Sequence, residues 1–184
     1  MAMKKFLSPF IAAFLLLLGV SSALVSCKDA TADAVKISLE FKNKHRAIDD
    51  SIIRDHLTRH SYTNFTRTDA GLYLVTITSN PQGRVSATGK QVAVKYIGRF
   101  VDAAREDIIF DSSINGKTLC DCISITVGGA DLITGWGQGI PLMHQGERKL
   151  LFIPSYLAYG TSGKGIIGPN TPLVFDMDIL GVSE

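Results

Sequence analysis

The chain opens with a basic head at Lys4 and Lys5, an almost wholly apolar stretch from Phe6 to Val20, and small residues at Ser21, Ser22 and Ala23. That order is the pattern of a secretory signal peptide over residues 1–26, and the stretch is shorter than the roughly 20 apolar residues a membrane span needs. Residues 28–44 are polar and contain several alanines, which predicts a flexible tether behind Cys27. From His45 to His60 the pattern changes. Ile48, Ile52, Ile53 and Leu57 recur at helical spacings with charges between them, predicting one amphipathic helix. Its solvent face is expected to carry Arg46, Asp49, Asp50, Arg54 and Arg59. Ser61–Gly71 reads as a polar connection, and Leu72–Thr78 as a strand rich in β-branched and aromatic residues. After the turn at Asn80-Pro81-Gln82-Gly83, alternating strands are predicted from Gln91 and at Ile108–Phe110, Ile123–Val127, Arg148–Ile153 and Leu173–Leu180. In the last, Leu173, Phe175, Met177 and Ile179 share one face, and Asp176 and Asp178 the other. Leu132–Met143 is a short helix candidate that Gly135, Gly137 and Gly139 weaken. Many strands with one short helix give the α+β class, an antiparallel sheet packed on a helix.

The length of 184 residues suits one ordinary domain and an appendage, and a hydrophobic content of 46% supports a buried core. Without residues 1–26 the chain holds 17 basic and 17 acidic residues, so no cationic surplus points to nucleic acid. The leader exits through Leu24-Val25-Ser26-Cys27, which resembles a bacterial lipobox. The resemblance implies that the Cys27 thiol is acylated and becomes the mature N-terminus, tying the protein to a membrane; the alternative is an ordinary signal peptide with a chance cysteine. Each buried methylene of an acyl chain adds about 0.8 kcal/mol to such an anchor. Lys28, where an aspartate is associated with inner-membrane retention, points to the outer membrane, facing the periplasm or the cell surface. Cys120 and Cys122 lie two apart, so an extended backbone would point both thiols to one face. They are read as two buried small residues, with an oxidised pair as the alternative.

His56 and His60 have the i, i+4 spacing of a metal-binding pair, but no Glu-x-x-His pattern surrounds them and no third ligand is obvious, and they are read as a surface pair. Gly163-Lys164-Gly165-Ile166-Ile167-Gly168 matches a dinucleotide fingerprint literally, yet Pro169 and Pro172 deny the helix such a site requires. Neither a metal nor a cofactor is expected.

Six blocks occur in order from Val92 onward: Val94-Lys95-Tyr96-Ile97-Gly98, Phe110-Asp111-Ser112-Ser113, Leu132-Ile133-Thr134-Gly135-Trp136, Met143-His144-Gln145-Gly146-Glu147-Arg148, Ile153-Pro154-Ser155-Tyr156-Leu157-Ala158-Tyr159-Gly160, and Asn170-Thr171-Pro172-Leu173-Val174-Phe175-Asp176. Together they resemble the FK506-binding-protein-type (FKBP) peptidyl-prolyl cis-trans isomerases. The resemblance implies an antiparallel sheet wrapped around a short helix over residues 87–184, with residues 45–86 as an N-terminal helix-and-strand extension. It implies that Trp136 floors a proline pocket, that Tyr96, Phe110 and Phe175 wall it, and that the Tyr159 hydroxyl bonds a substrate carbonyl at the rim. Asp111 would set local polarity, Leu132 and Ile133 would line one side with the Ile133 amide as donor, and Ile167 would close over the site. Ile123 stands at the lip where an aromatic is common, Gly168 where a proline is common, and about three extra residues lie between Asp111 and Gly128. The implied partners are proline-containing polypeptides of the envelope and FK506-type macrocycles, with a homodimer through the extension as a further candidate. The alternative function is a non-catalytic binding module or holdase that uses the same cup.

Overall fold

In the computed structural model, which describes residues 26–114, 116 and 120–184, the strands segregate their side chains onto two faces of one sheet. The elements are α1 (Ser26–Arg59), β1 (Phe65–Arg67), β2 (Tyr73–Thr78), β3 (Gln91–Phe100), β4 (Ile109–Ser112), β5 (Ile123–Thr126), α2 (Thr134–Gly139) with a following 3-10 turn Ile140–Leu142, β6 (Arg148–Ile153), a 3-10 turn Ser155–Leu157, and β7 (Leu173–Val182). All pairings are antiparallel in the order β1-β2-β6-β7-β3-β4. The edge of β3 away from β7 is shared: Gln91–Val94 pairs with β5, and Ile97–Arg99 with β4. The signal peptide read over residues 1–26 lies outside the described residues except Ser26, and so does part of the expected insertion after Asp111. No described helix is long and apolar enough to cross a membrane.

Period-2 alternation builds two cores. On one face Leu72, Leu74, Val92, Val94, Tyr96, Leu151, Ile153, Leu173, Phe175, Met177 and Ile179 pack with Trp136 and Ile140 of the α2 segment. On the other, Tyr73, Val75, Leu150, Phe152 and Val174 pack with Ile53 and Leu57 of α1. Here β2, β6 and β7 send neighbouring residues to opposite cores. Two of the three glycines that weaken the prediction of α2, Gly135 and Gly139, are what let it approach the sheet. A Cβ at Gly135 would collide with Ile153, and one at Gly139 would sit 2.5 Å from Leu151.

The structure corrects four expectations. Helical backbone reaches back to Ser26, so the segment read as a tether is helical; from Lys28 to Arg59 the sequence contains neither Gly nor Pro to stop it. Residues 44–184 form one compact unit, and β2 is paired with β6, so no boundary falls at residue 87. The connection Ser61–Gly71 contains β1, whose residues are all exposed, leaving no apolar alternation to betray it. Finally, the buried stripe of α1 is Asp49, Ile53, His56 and Leu57, at positions i, i+4, i+7 and i+8, while Ile48 is exposed. Asp49 is fully buried because its Oδ2 accepts hydrogen bonds from the Ser155 amide (2.8 Å) and hydroxyl (2.7 Å). Burial raises its pKa, and the Ser155 bonds act against that shift without cancelling it.

Glu147, at the entrance to β6, is 4% exposed. Burial favours its neutral form, but the bond from the His144 amide (2.9 Å), the Lys149 ammonium (3.0 Å) and the Asn80 amide outweigh that and hold its pKa below the ordinary carboxylate value. A folded-state pKa depressed in this way stabilises the fold fully above the ordinary value and ceases to do so as pH falls through the lowered one. Glu147→Gln is therefore expected to cost about 1–3 kcal/mol in denaturant unfolding at pH 7, with the gap to the parent closing on acidification. A gap of constant size between pH 7 and pH 3 would contradict this account.

Candidate active site

Four rings from four elements meet on the α2 face of the sheet. Tyr96 from β3 lies edge-on to Trp136 of α2, with centroids 4.9 Å apart, and 6.1 Å from Phe175 of β7. Trp136 and Phe175 are 5.2 Å apart, and Phe110 of β4 meets Phe175 at 5.5 Å, both pairs T-shaped. Edge-to-face contact is the arrangement the ring quadrupoles favour. Gly98, between Tyr96 and Phe100 on β3, makes room for it. A Cβ there would lie 2.7 Å from Phe110 and 3.0 Å from Phe175.

Phe110 and Asp111 open onto a cleft of about 420 Å³ that Tyr159, Lys164, Ile166 and Ile167 also line. Asp111 is exposed and accepts hydrogen bonds from the Tyr96 hydroxyl (2.9 Å) and the Ser112 amide (2.9 Å). Burial, and then the Asp111 carboxylate, push the Tyr96 phenol far above its ordinary range, so it remains a hydrogen-bond donor. Tyr159 follows the 3-10 turn at Ser155–Leu157, and the Lys164 ammonium lies 5.3 Å from its ring centroid. Lys164 and Ile167 exchange backbone hydrogen bonds across a tight turn, which places Ile167 against the core and leaves Ile166 66% exposed. That turn occupies the literal Gly-x-Gly-x-x-Gly match, and no helix opens there.

Seven of the sequence-predicted residues therefore divide into two groups. Phe110, Asp111, Tyr159 and Ile167 line the cleft, whereas Tyr96 (8% exposed), Trp136 (6%) and Phe175 (2%) lie packed behind its wall. Ile123 pairs with Val94 at the start of β5 and is partly buried against the core. Leu132 and Ile133 precede α2, and the Ile133 carbonyl accepts from the amides of Trp136 and Gly137. Sequence reasoning missed Lys164 and Ile166, whose only signal was their place in a glycine-rich loop, and the spacing role of Gly98. The structure also bonds Cys120 to Cys122 as a disulfide, with Cys120 exposed rather than buried. Asp121 has φ 48°, which turns the backbone and brings the Cα atoms to 5.1 Å, against about 6.6 Å along a strand.

The model of the FKBP-type peptidyl-prolyl cis-trans isomerases matches residues 83–180, more than half of the chain. The chain belongs to this family. Its FKBP domain is 34% identical over 103 residues to an FK506-binding protein of Neisseria meningitidis serogroup C, covering 55% of this chain and 88% of that one. It is 35% identical over 107 residues to FK506-binding protein 5 of Dictyostelium discoideum, covering 58% of this chain but only 6% of that much longer protein. The crystal structure of FkpA from Escherichia coli superimposes with a TM-score of 0.60 at 26% identity, covering 95% of this chain and 80% of that one. Residues 83–180 are thus an FKBP-type isomerase domain, of a family that binds proline-containing substrates and FK506-type ligands.

Gly98→Ala tests whether the ring geometry governs turnover. The added methyl displaces Phe110 and Phe175, and overpacking of this kind costs about 1–3 kcal/mol. The kcat/KM for prolyl rotation is expected to fall roughly tenfold or more, with the circular dichroism spectrum retained. Unchanged turnover would show that these rings tolerate displacement.

Proposed function

We propose that the protein is an exported, lipid-anchored isomerase that speeds rotation about X-Pro bonds in envelope polypeptides, using the cleft beside Phe110 and the ring cluster behind it. The observation that carries this is the convergence of Tyr96, Phe110, Trp136 and Phe175 within 4.9–6.1 Å for the neighbouring pairs, next to a solvent-open cleft. Rotation about a prolyl amide faces a barrier of about 18–20 kcal/mol from resonance, and no bond is broken. The enzyme has only to bind the twisted amide more tightly than the planar one. Twisting reduces charge separation across C, N and O, so a dry aromatic wall favours the twisted form over water. Each tenfold acceleration requires about 1.4 kcal/mol of that preference.

In this reading the proline seats against Phe110 in the cleft, and the buried rings of Tyr96 and Phe175, with Trp136 as floor, back that wall. The Tyr159 hydroxyl and the Ile133 amide hold flanking carbonyls, and Leu132, Ile123 and Ile167 border the bound chain. Asp111 fixes the Tyr96 hydroxyl. The leader and Cys27 support export and anchoring in the outer membrane, where slow prolyl isomerisation can limit the folding of clients. Val35, exposed on α1, supports contact between two copies.

A protease-free assay on a proline tetrapeptide tests the catalytic reading. The parent protein is expected to accelerate exchange, and Trp136→Ala and Asp111→Ala to lower kcat/KM, the former by about tenfold or more. Suppression of client aggregation without turnover would instead assign a holdase. The intact mass of membrane-extracted protein reports acylation at Cys27; an unmodified thiol there would remove the anchor.

A further inference from the structure

His56 and His60 acquire the partner that their sequence neighbourhood lacks. Glu106, in the loop between β3 and β4, brings its Oε2 to 3.4 Å from His56 Nδ1 and 3.3 Å from His60 Nε2. One ligand atom from each of the three residues lies within 4.8 Å of the others. We infer that His56, His60 and Glu106 form a binding site for a borderline divalent cation of the zinc class, clamping the end of α1 to the β3–β4 loop.

The geometry favours a tetrahedral ion. Metal–ligand bonds of 2.0–2.1 Å set at tetrahedral angles place neighbouring donor atoms about 3.3 Å apart, close to both measured separations. Two imidazoles and a carboxylate, with one position left to water, are a donor set suited to zinc and its neighbours and poorly suited to magnesium or calcium. The two imidazole rings are stacked, with centroids 4.3 Å apart and planes 28° from parallel, so the solvent-open His60 ring must rotate for both in-plane lone pairs to meet at one ion. His56 is held against Phe152 of the sheet and is 8% exposed, which fixes one ligand before any ion arrives. Its Nδ1–H donates to the Val101 carbonyl oxygen at 2.9 Å, a bond that ligation through Nδ1 must break. A cavity of about 290 Å³, lined among others by His56, His60, Glu106, Asp107 and Asp176, gives an ion access from solvent.

Two cations oppose binding, and Arg99, which lines the same cavity, is the first. The Arg59 guanidinium pairs with the same Glu106 oxygen, and its Nε holds Asp55 at 2.8 Å. An incoming cation must displace Arg59 from Glu106, leaving it on Asp55. The site therefore predicts a gain of affinity when Arg59 is removed, which a site elsewhere would not show.

Titration of Zn²⁺ into the full chain with its disulfide intact, followed by calorimetry, is expected to give one ion per chain, with Mg²⁺ giving none. Co²⁺ as a spectroscopic probe is expected to show the visible bands of a four-coordinate ion. His60→Ala and Glu106→Gln, both at positions open to solvent, should each raise Kd at least about tenfold, and Arg59→Gln should lower it. Circular dichroism establishes that each variant is folded. Absence of saturable binding, or Zn²⁺ binding indifferent to His60→Ala and Glu106→Gln, overturns the site. Failure of Arg59→Gln to tighten binding removes Glu106 as the third ligand, and the three-ligand site with it.

Discussion

Strands β2, β6 and β7 carry large apolar side chains on both faces, and neither face can be left in water. Each fully buried Leu, Ile or Phe contributes about 1.5–3 kcal/mol, so Phe152 and Val174 require a cover just as Leu151 and Phe175 do. The α2 segment supplies one cover and the end of α1 the other. This two-sided demand joins an isomerase domain and a helix that the family model does not include into one unit. The aromatic cup is a local consequence. It forms where the α2 cover, thinned by glycine, lets Trp136 settle between Tyr96 and Phe175.

Asp49 ties the α1 cover to the turn that follows β6. Its carboxylate holds Ser155, whose carbonyl in turn accepts from the amides of Ala158 and Gly160, the residues on either side of Tyr159. The helix thus reaches, through two layers of hydrogen bonds, the turn that places a cleft residue. Asp50 works beside it, accepting from the Tyr73 hydroxyl at 2.6 Å and pairing with Arg54 and Arg67. These contacts fix the register of α1 on the sheet, where hydrophobic packing alone would tolerate sliding.

Much of this was legible because strands write a period of two into the chain. Val92, Val94 and Tyr96 announced the inner face of β3, and Leu173, Phe175, Met177 and Ile179 that of β7. Trp136 between glycines was legible as a special position for the same physical reason that makes α2 a poor helix by propensity. The rest was hidden where partners lie far apart in sequence. Nothing near Asp49 tells of Ser155, more than a hundred residues on, and nothing near His56 tells of Glu106. A buried carboxylate looks like a surface one until its donor is found. The bend at Asp121 was equally silent, since a positive φ at a non-glycine residue leaves little compositional trace.

The pairing of β2 with β6 bears on how small the catalytic unit can be made. A fragment cut to the family-matched segment would lose β1, β2 and α1 together, and β6 would become the rim of the sheet, its main-chain amides and carbonyls facing outward along Arg148–Ile153. Exposed rims of that kind recruit other chains, and Phe152, stripped of its helix, would add a greasy surface beside them. Lys44–Glu184 keeps both the ladder and its roof, so the ancillary helix acts as a built-in guard against the self-association that a bare isomerase domain from this chain would invite.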